Sequence, residues 1–186
     1  MGATLTILVG LGLYTLFFYY KSRINEQDDS IDYSEEEQQR EIVPTRTLVM
    51  RILRSIGSEP LAEENTGRIF FSYQGEQFFI ACSNDSPFIT IYDVWWYQIS
   101  MDADIEEFAC MQKAVNYVNA YANCTALYST NEEERVFGLH LKKNIPFIVQ
   151  IPNIEVYLRS TLEDFFTAQR AIITEMERNK VKEQQI

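Results

Sequence analysis

Two short aromatic runs joined by a tight turn constrain this chain more than any other feature. Residues 68–73 read RIFFSY and residues 77–82 read QFFIAC, with Gln74-Gly75 in the loop between them. The two central residues of such a loop favour φ > 0, which Gly75 adopts without a Cβ clash. This turn predicts a register. Tyr73 lies opposite Glu76, Phe71 opposite Phe78, and Ile69 opposite Ile80. On the other side Phe70 meets Phe79 and Ser72 meets Gln77. Directly opposed residues of an antiparallel pair share a face, so the hairpin carries Phe on both faces.

A turn over 83–87 leads to a third run, FITIYDVWWYQI, at 88–99. Alternation sorts Phe88, Thr90, Tyr92, Val94 and Trp96 into one set. Ile89, Ile91, Trp95, Tyr97 and Ile99 form the other, broken by Asp93. A bulge near Asp93 would swap the faces, so neither Trp is assigned to a side. Two further strands are expected at 124–129 and 135–143, around an acidic turn at 131–134.

Three helices frame these strands. Pro44 opens the first, with Thr45 or Thr47 as its cap and Leu48, Val49, Ile52, Leu53 and Ile56 as its apolar stripe. Gly57 suits a left-handed C-cap, and Pro60 prevents continuation. Asp104 and Glu107 predict a capping box at the second helix, whose stripe is Phe108, Met111, Val115, Val118 and Ala122. Ile154, Leu158, Leu162, Phe165, Ile172 and Met176 mark a long third helix with a highly charged end. The expected fold is α+β: a five-stranded antiparallel sheet with helices packed on one face, in the order α-βββ-α-ββ-α.

This order resembles the type III secretion chaperone-like fold and the bacterial YbjN-like family that shares it. The resemblance covers roughly residues 44–180. It rests on the element order, on the stretch LRSIGSEP from Leu53 to Pro60, and on Tyr92-Asp93-Val94-Trp95-Trp96 in the aromatic third strand. It implies a binding or regulatory protein, often dimeric, with no shared catalytic residues to carry over.

Ahead of the domain, Ala3–Tyr20 reads ATLTILVGLGLYTLFFYY without a charge. As a helix it would extend roughly 27 Å, close to the hydrocarbon thickness of a bilayer. Tyr19 and Tyr20 suit the interface, and Lys21 and Arg23 follow at once. The expectation is one transmembrane helix in the inner or cytoplasmic membrane, with the C-terminal bulk in the cytoplasm. A cleaved signal peptide is the competing reading, but it would need a basic start and a small-residue cleavage site, which this segment lacks. Residues 25–41 read NEQDDSIDYSEEEQQRE, a composition that favours a solvated spacer. The expected organisation is an anchor and basic flank at 1–24, a linker at 25–42, the α+β domain at 43–180 and a charged tail at 181–186.

The net charge of -11 argues against nucleic acid as a partner, since phosphate contacts need clustered Lys and Arg. No phosphate-binding glycine motif or nucleophile elbow is present. The lone histidine, His140, reads as a strand residue, and Cys82, Cys110 and Cys124 read as buried small side chains. Asp102, Asp104, Glu106 and Glu107 read as acids at a helix N-terminus, not as a cation site. No catalytic residue, metal or cofactor is expected.

The excess of apolar residues on both strand faces is the functional signal. The final helix or the 145–152 segment could cover the second face, or a partner could. The expected role is a membrane-tethered, non-enzymatic module binding a protein partner, a second copy, or both. Phe70, Phe79, Tyr92, Trp95, Trp96 and His140 are the expected partner-binding residues. The alternative is a small-molecule sensor or enzyme with a pocket between sheet and helices, lined by Tyr, Trp and His140.

Overall fold

The computed structural model describes residues 43–183. The expected anchor at 1–24 and linker at 25–42 lie outside the described residues. Among the described residues, no helix is long and apolar enough to cross a membrane.

Helix α1 (Thr45–Ser55) begins after Pro44 and buries Leu48, Val49, Ile52 and Leu53. No side chain caps it; the Thr45 hydroxyl instead donates to the Ser86 carbonyl at 2.7 Å and ties the helix to a strand turn. At its other end Gly57 has φ +90°. The Gly57 and Ser58 N–H groups return to the carbonyls of Arg54 and Leu53, which closes a Schellman motif.

Six strands form one antiparallel sheet, one more than the sequence pattern predicts. They are β1 (Leu61–Ala62), β2 (Arg68–Tyr73), β3 (Glu76–Cys82), β4 (Phe88–Ser100), β5 (Thr125–Asn131) and β6 (Val136–Pro146), in the spatial order β1-β2-β3-β4-β6-β5. The extra strand, β1, has only two residues, both exposed, which is too short to show any periodicity.

The β2–β3 register is the one the turn predicts, from Tyr73–Glu76 to Ile69–Ile80. Gln74 and Gly75 both have positive φ, as a type I′ turn requires. Helix α2 (Ile105–Tyr121) starts at Asp104, whose Oδ1 accepts the Glu106 N–H at 3.2 Å. The cap is therefore Asp104 as expected, with the bond made one residue earlier than a capping box would place it. Asp102 pairs with Arg135 and Glu107 with Lys180, so these two acids, like the capping Asp104, have structural partners.

Helix α3 (Ile154–Glu183) buries Leu158, Leu162, Phe165, Ala168, Ile172 and Met176 along one stripe. Phe165 and Phe166 both meet the ring of Phe78, with centroids 5.5 and 6.1 Å away. All three helices share one core cluster with Ile69, Phe71, Ile80, Ile89, Ile91, Leu139 and Leu141. Phe147, from the 145–152 segment, is buried in the same cluster. Both segments that could have covered the second sheet face therefore contribute to the first.

Candidate functional site

The sheet face away from this core carries one continuous row of side chains. Successive registers align Leu61, Phe70, Phe79, Tyr92, Lys142 and Thr125 across all six strands. Phe79 stacks on Tyr92 with centroids 4.5 Å apart, and Phe70 lies 5.7 Å from Phe79. The Arg68 guanidinium sits 4.9 Å above the Phe79 ring, a cation–π contact that keeps a charge beside the aromatic patch. Leu61 is 71% exposed and Phe70 is 37% exposed.

Beside this row β4 departs from regular pairing. Asp93 faces Leu141 and Tyr97 faces Leu139, so Val94, Trp95 and Trp96 stand opposite the single residue His140. The extra residues leave Tyr97 and Ile99 on the face that Asp93, Ile91 and Ile89 share. Trp95 has φ +60°, a conformation costing a bulky side chain about 1–2 kcal/mol. Its N–H donates to His140 Nδ1 at 3.0 Å, and its ring meets the imidazole edge-on at 4.8 Å. Gly138 makes room for the indole: a Cβ there would lie 2.0 Å from a Trp95 ring carbon. Strain of this kind persists only where surrounding contacts enforce it, and it concentrates at functional sites.

Five of the six expected partner-binding residues thus share the outer face: Phe70, Phe79, Tyr92, Trp95 and His140. Trp96 does not. It packs against the core cluster, and its indole N–H has no hydrogen-bond partner among the described residues. Simple alternation groups Trp95 with Ile89 and Ile91, and the bulge reverses that by turning Trp95 outward. The residues missed by pattern reading are Leu61, Arg68, Lys142 and Gly138. Only Gly138 leaves a signal, since glycine inside a strand marks a close approach.

The site's chemistry follows from one proton. His140 Nδ1 accepts from Trp95, so a neutral imidazole carries its hydrogen on Nε2, which faces the Ser129 hydroxyl at 2.6 Å. Burial holds the His140 pKa below its ordinary value. Nε2 therefore donates to Ser129 and is not available to take its proton. In this arrangement the pair is not a nucleophile with its base. His140 also points away from the helices, so it lines no pocket between them and the sheet. A groove of about 580 Å³ on α1, lined by Arg46, Thr47, Met50, Arg51 and Arg54, contains none of these residues.

On the core face Asp93 is 1% exposed, in a row between Phe78 and Leu141. Gln169 Nε2 donates to its Oδ2 at 2.7 Å. Burial pushes its carboxyl up to about 7, against the Gln169 hydrogen bond and with Glu76 adding to the rise. The Lys143–Asp164 ion pair joins the same sheet face to α3. Burial pushes the Cys124 thiol up to about 12, which makes it a poor nucleophile at neutral pH. Among the described residues, no three His, Cys, Asp or Glu side chains are grouped to hold a metal ion.

Fold and site together define an α+β protein whose helices pack on one sheet face and whose other face, among the described residues, is aromatic and partly exposed. No known protein family and no curated protein matches the chain by sequence. Among solved structures, an uncharacterized protein from Methanothermobacter thermautotrophicus is similar at 14% identity and a TM-score of 0.48, covering 72% of this chain and 97% of its own. YbjN from E. coli, described as a candidate transcription regulator, is similar at 10% identity and a TM-score of 0.48, covering 76% of this chain and 94% of its own. The functional argument rests on the residues of this chain.

Proposed function

We propose that this chain is a membrane-tethered, non-enzymatic module that binds protein through the outer face of its sheet. The observation that carries the reading is the outer row in which Leu61 and Phe70 are exposed and Phe79 and Tyr92 half-buried, flanked by the strained Trp95. Exposed aromatic surface of this kind is costly for a soluble domain and is characteristic of interfaces, whose energetic centres favour Trp, Tyr and Arg. Arg68 and Lys142 border the patch and give it a polar rim. The tether is supported by the uncharged run at 3–20 and the basic residues after it. Tethering would raise the effective concentration of the domain near membrane partners without a new contact.

Paired double variants of the full chain test this reading. Burying what remains exposed of each outer ring is worth about 1–2 kcal/mol, roughly tenfold in affinity per ring. Phe70→Ser with Phe79→Ser is expected to weaken self-association or partner capture, with only a small drop in thermal midpoint. Phe71→Ser with Phe78→Ser removes core rings and is expected to unfold the domain. Equal unfolding of both variants would make the outer face internal and end the proposal.

A further inference from the structure

The two edges of the sheet are built differently. β1 is two residues long and follows Pro60, two devices that discourage pairing with another strand. β5 has neither. Its seven residues, TALYSTN, contain no charge and no proline, and its register with β6 runs without a bulge.

Among the described residues, its free side is covered at one step only. Asn119, from α2, donates to the Ala126 carbonyl at 3.1 Å and accepts the Ala126 N–H at 2.7 Å. The side-chain amide pairs with Ala126 as a neighbouring strand would. Antiparallel ladders alternate, so residues two and four further on direct their N–H and C=O to the same side. These are Tyr128 and Thr130, and both are exposed. Leu127 on the outer face and Tyr128 on the helix face, 6.2 Å from Phe108, flank this open ladder with apolar surface. Just beyond it stand Glu132, Glu133 and Glu134, all exposed.

We infer that β5 is a docking edge for an extended segment of a partner protein that carries basic residues at its N-terminal end. The segment adds antiparallel to β5 and pairs with the main chain of Tyr128 and Thr130. This direction continues the pattern of the sheet and sets the segment's N-terminal end beside Glu132–Glu134. Backbone pairing supplies affinity, alternate side chains meet Leu127 and Tyr128, and the three carboxylates select the basic end. A second copy fits less well, because antiparallel pairing would set the uncharged Thr125 end of its own β5 beside Glu132–Glu134, and the copy carries a net charge of -11. The edge is distinct from the Phe70–Phe79 row, so either surface can fail without the other.

The test uses the full chain in detergent micelles and a synthetic peptide, Arg-Lys-Val-Thr-Val-Thr-Val, followed by fluorescence anisotropy. The peptide is expected to bind, and its N-methylation at alternate residues on the pairing side should weaken binding at least about tenfold. Thr130→Pro removes an outward N–H without touching the β6 ladder and should cause a similar loss. Glu132→Gln, Glu133→Gln and Glu134→Gln together should weaken binding and flatten its salt dependence. Phe70→Ser with Phe79→Ser should leave peptide binding unchanged, which separates this edge from the outer face. If Thr130→Pro fails to fold, the N-methylated peptide still decides. No binding at millimolar peptide, or undiminished binding by the N-methylated peptide, overturns the edge. Undiminished binding by the Gln variant overturns the basic end. A full-chain dimer dissolved by Thr130→Pro would give the edge to a second copy and overturn the choice of partner.

Discussion

Asp93 is the residue whose surroundings disagree most with its chemistry. It stands between Phe78 and Leu141 on the core face, with the Gln169 amide bonded to one oxygen. In the unfolded chain an Asp ionises at about 4, whereas here burial raises the carboxyl to about 7. Between those values the folded protein keeps a proton that the unfolded chain has released. Stability therefore falls as pH rises through this window and stays low above it. The full loss is on the order of 4 kcal/mol, from about three pH units at roughly 1.4 kcal/mol each. His140 acts in the opposite sense. Its pKa is lowered, so its contribution is lost as pH falls below the ordinary imidazole value. Asp93→Asn isolates the first effect. Thermal melts from pH 5 to 8 are expected to show a decline in the wild type that the variant lacks, with the variant melting higher at pH 8. Matching slopes would mean that Asp93 is hydrated. In the sequence Asp93 registers only as a break in an apolar alternation. Its burial depends on Gln169, which is distant in the chain, and no local pattern carries that pairing.

Among the elements, the hairpin was the most legible and β4 the least. β2 and β3 could be aligned residue by residue because the Gln74-Gly75 turn and the period-two pattern are both local. The α3 stripe was legible for the same reason, as a long 3.6-residue period. β4 carries an equally strong pattern, but its bulge is set by what lies across from it. His140 takes the Trp95 N–H, and Gly138 leaves space for the indole. These are facts about β6, so the strand's own alternation leaves both Trp side chains unassigned, and the irregularity expected near Asp93 is what turns Trp95 outward and Trp96 to the core. The dependence can be tested from the β6 side. Gly138→Ala sets a methyl where the Trp95 ring lies, and the indole must leave its seat. The expected result is a red-shifted Trp emission and a stability loss of about 1–3 kcal/mol, typical of overpacking. Unchanged emission with unchanged stability would mean that the indole does not rest on Gly138.

For the whole molecule, charge distribution and the N-terminal apolar run set the remaining expectation. Of the acids in this chain, eight fall within residues 26–41, against the single base Arg40. Such a segment is repelled by an anionic lipid surface and would hold the domain away from it. With Lys21 and Arg23 as the charges flanking the run at 3–20, a C-terminal reporter active only outside the cytoplasm should remain silent. Activity of that reporter would reverse the orientation. The bulge carries a different consequence at this scale. β4 holds two surplus residues between Asp93 and Tyr97 relative to β6. Because that surplus is even, the strand leaves the bulge in the same phase in which it entered. A chain shorter by one residue there would turn Tyr97 and Ile99 to the wrong side and scramble half the core. A chain shorter by two would keep Asp93, Tyr97 and Ile99 on their side and lose the Trp95 seat together with the Trp96 contact to the core. The bulge is therefore an insert in the reading of the strand, and its length can vary in pairs without changing the phase of the strand on either side.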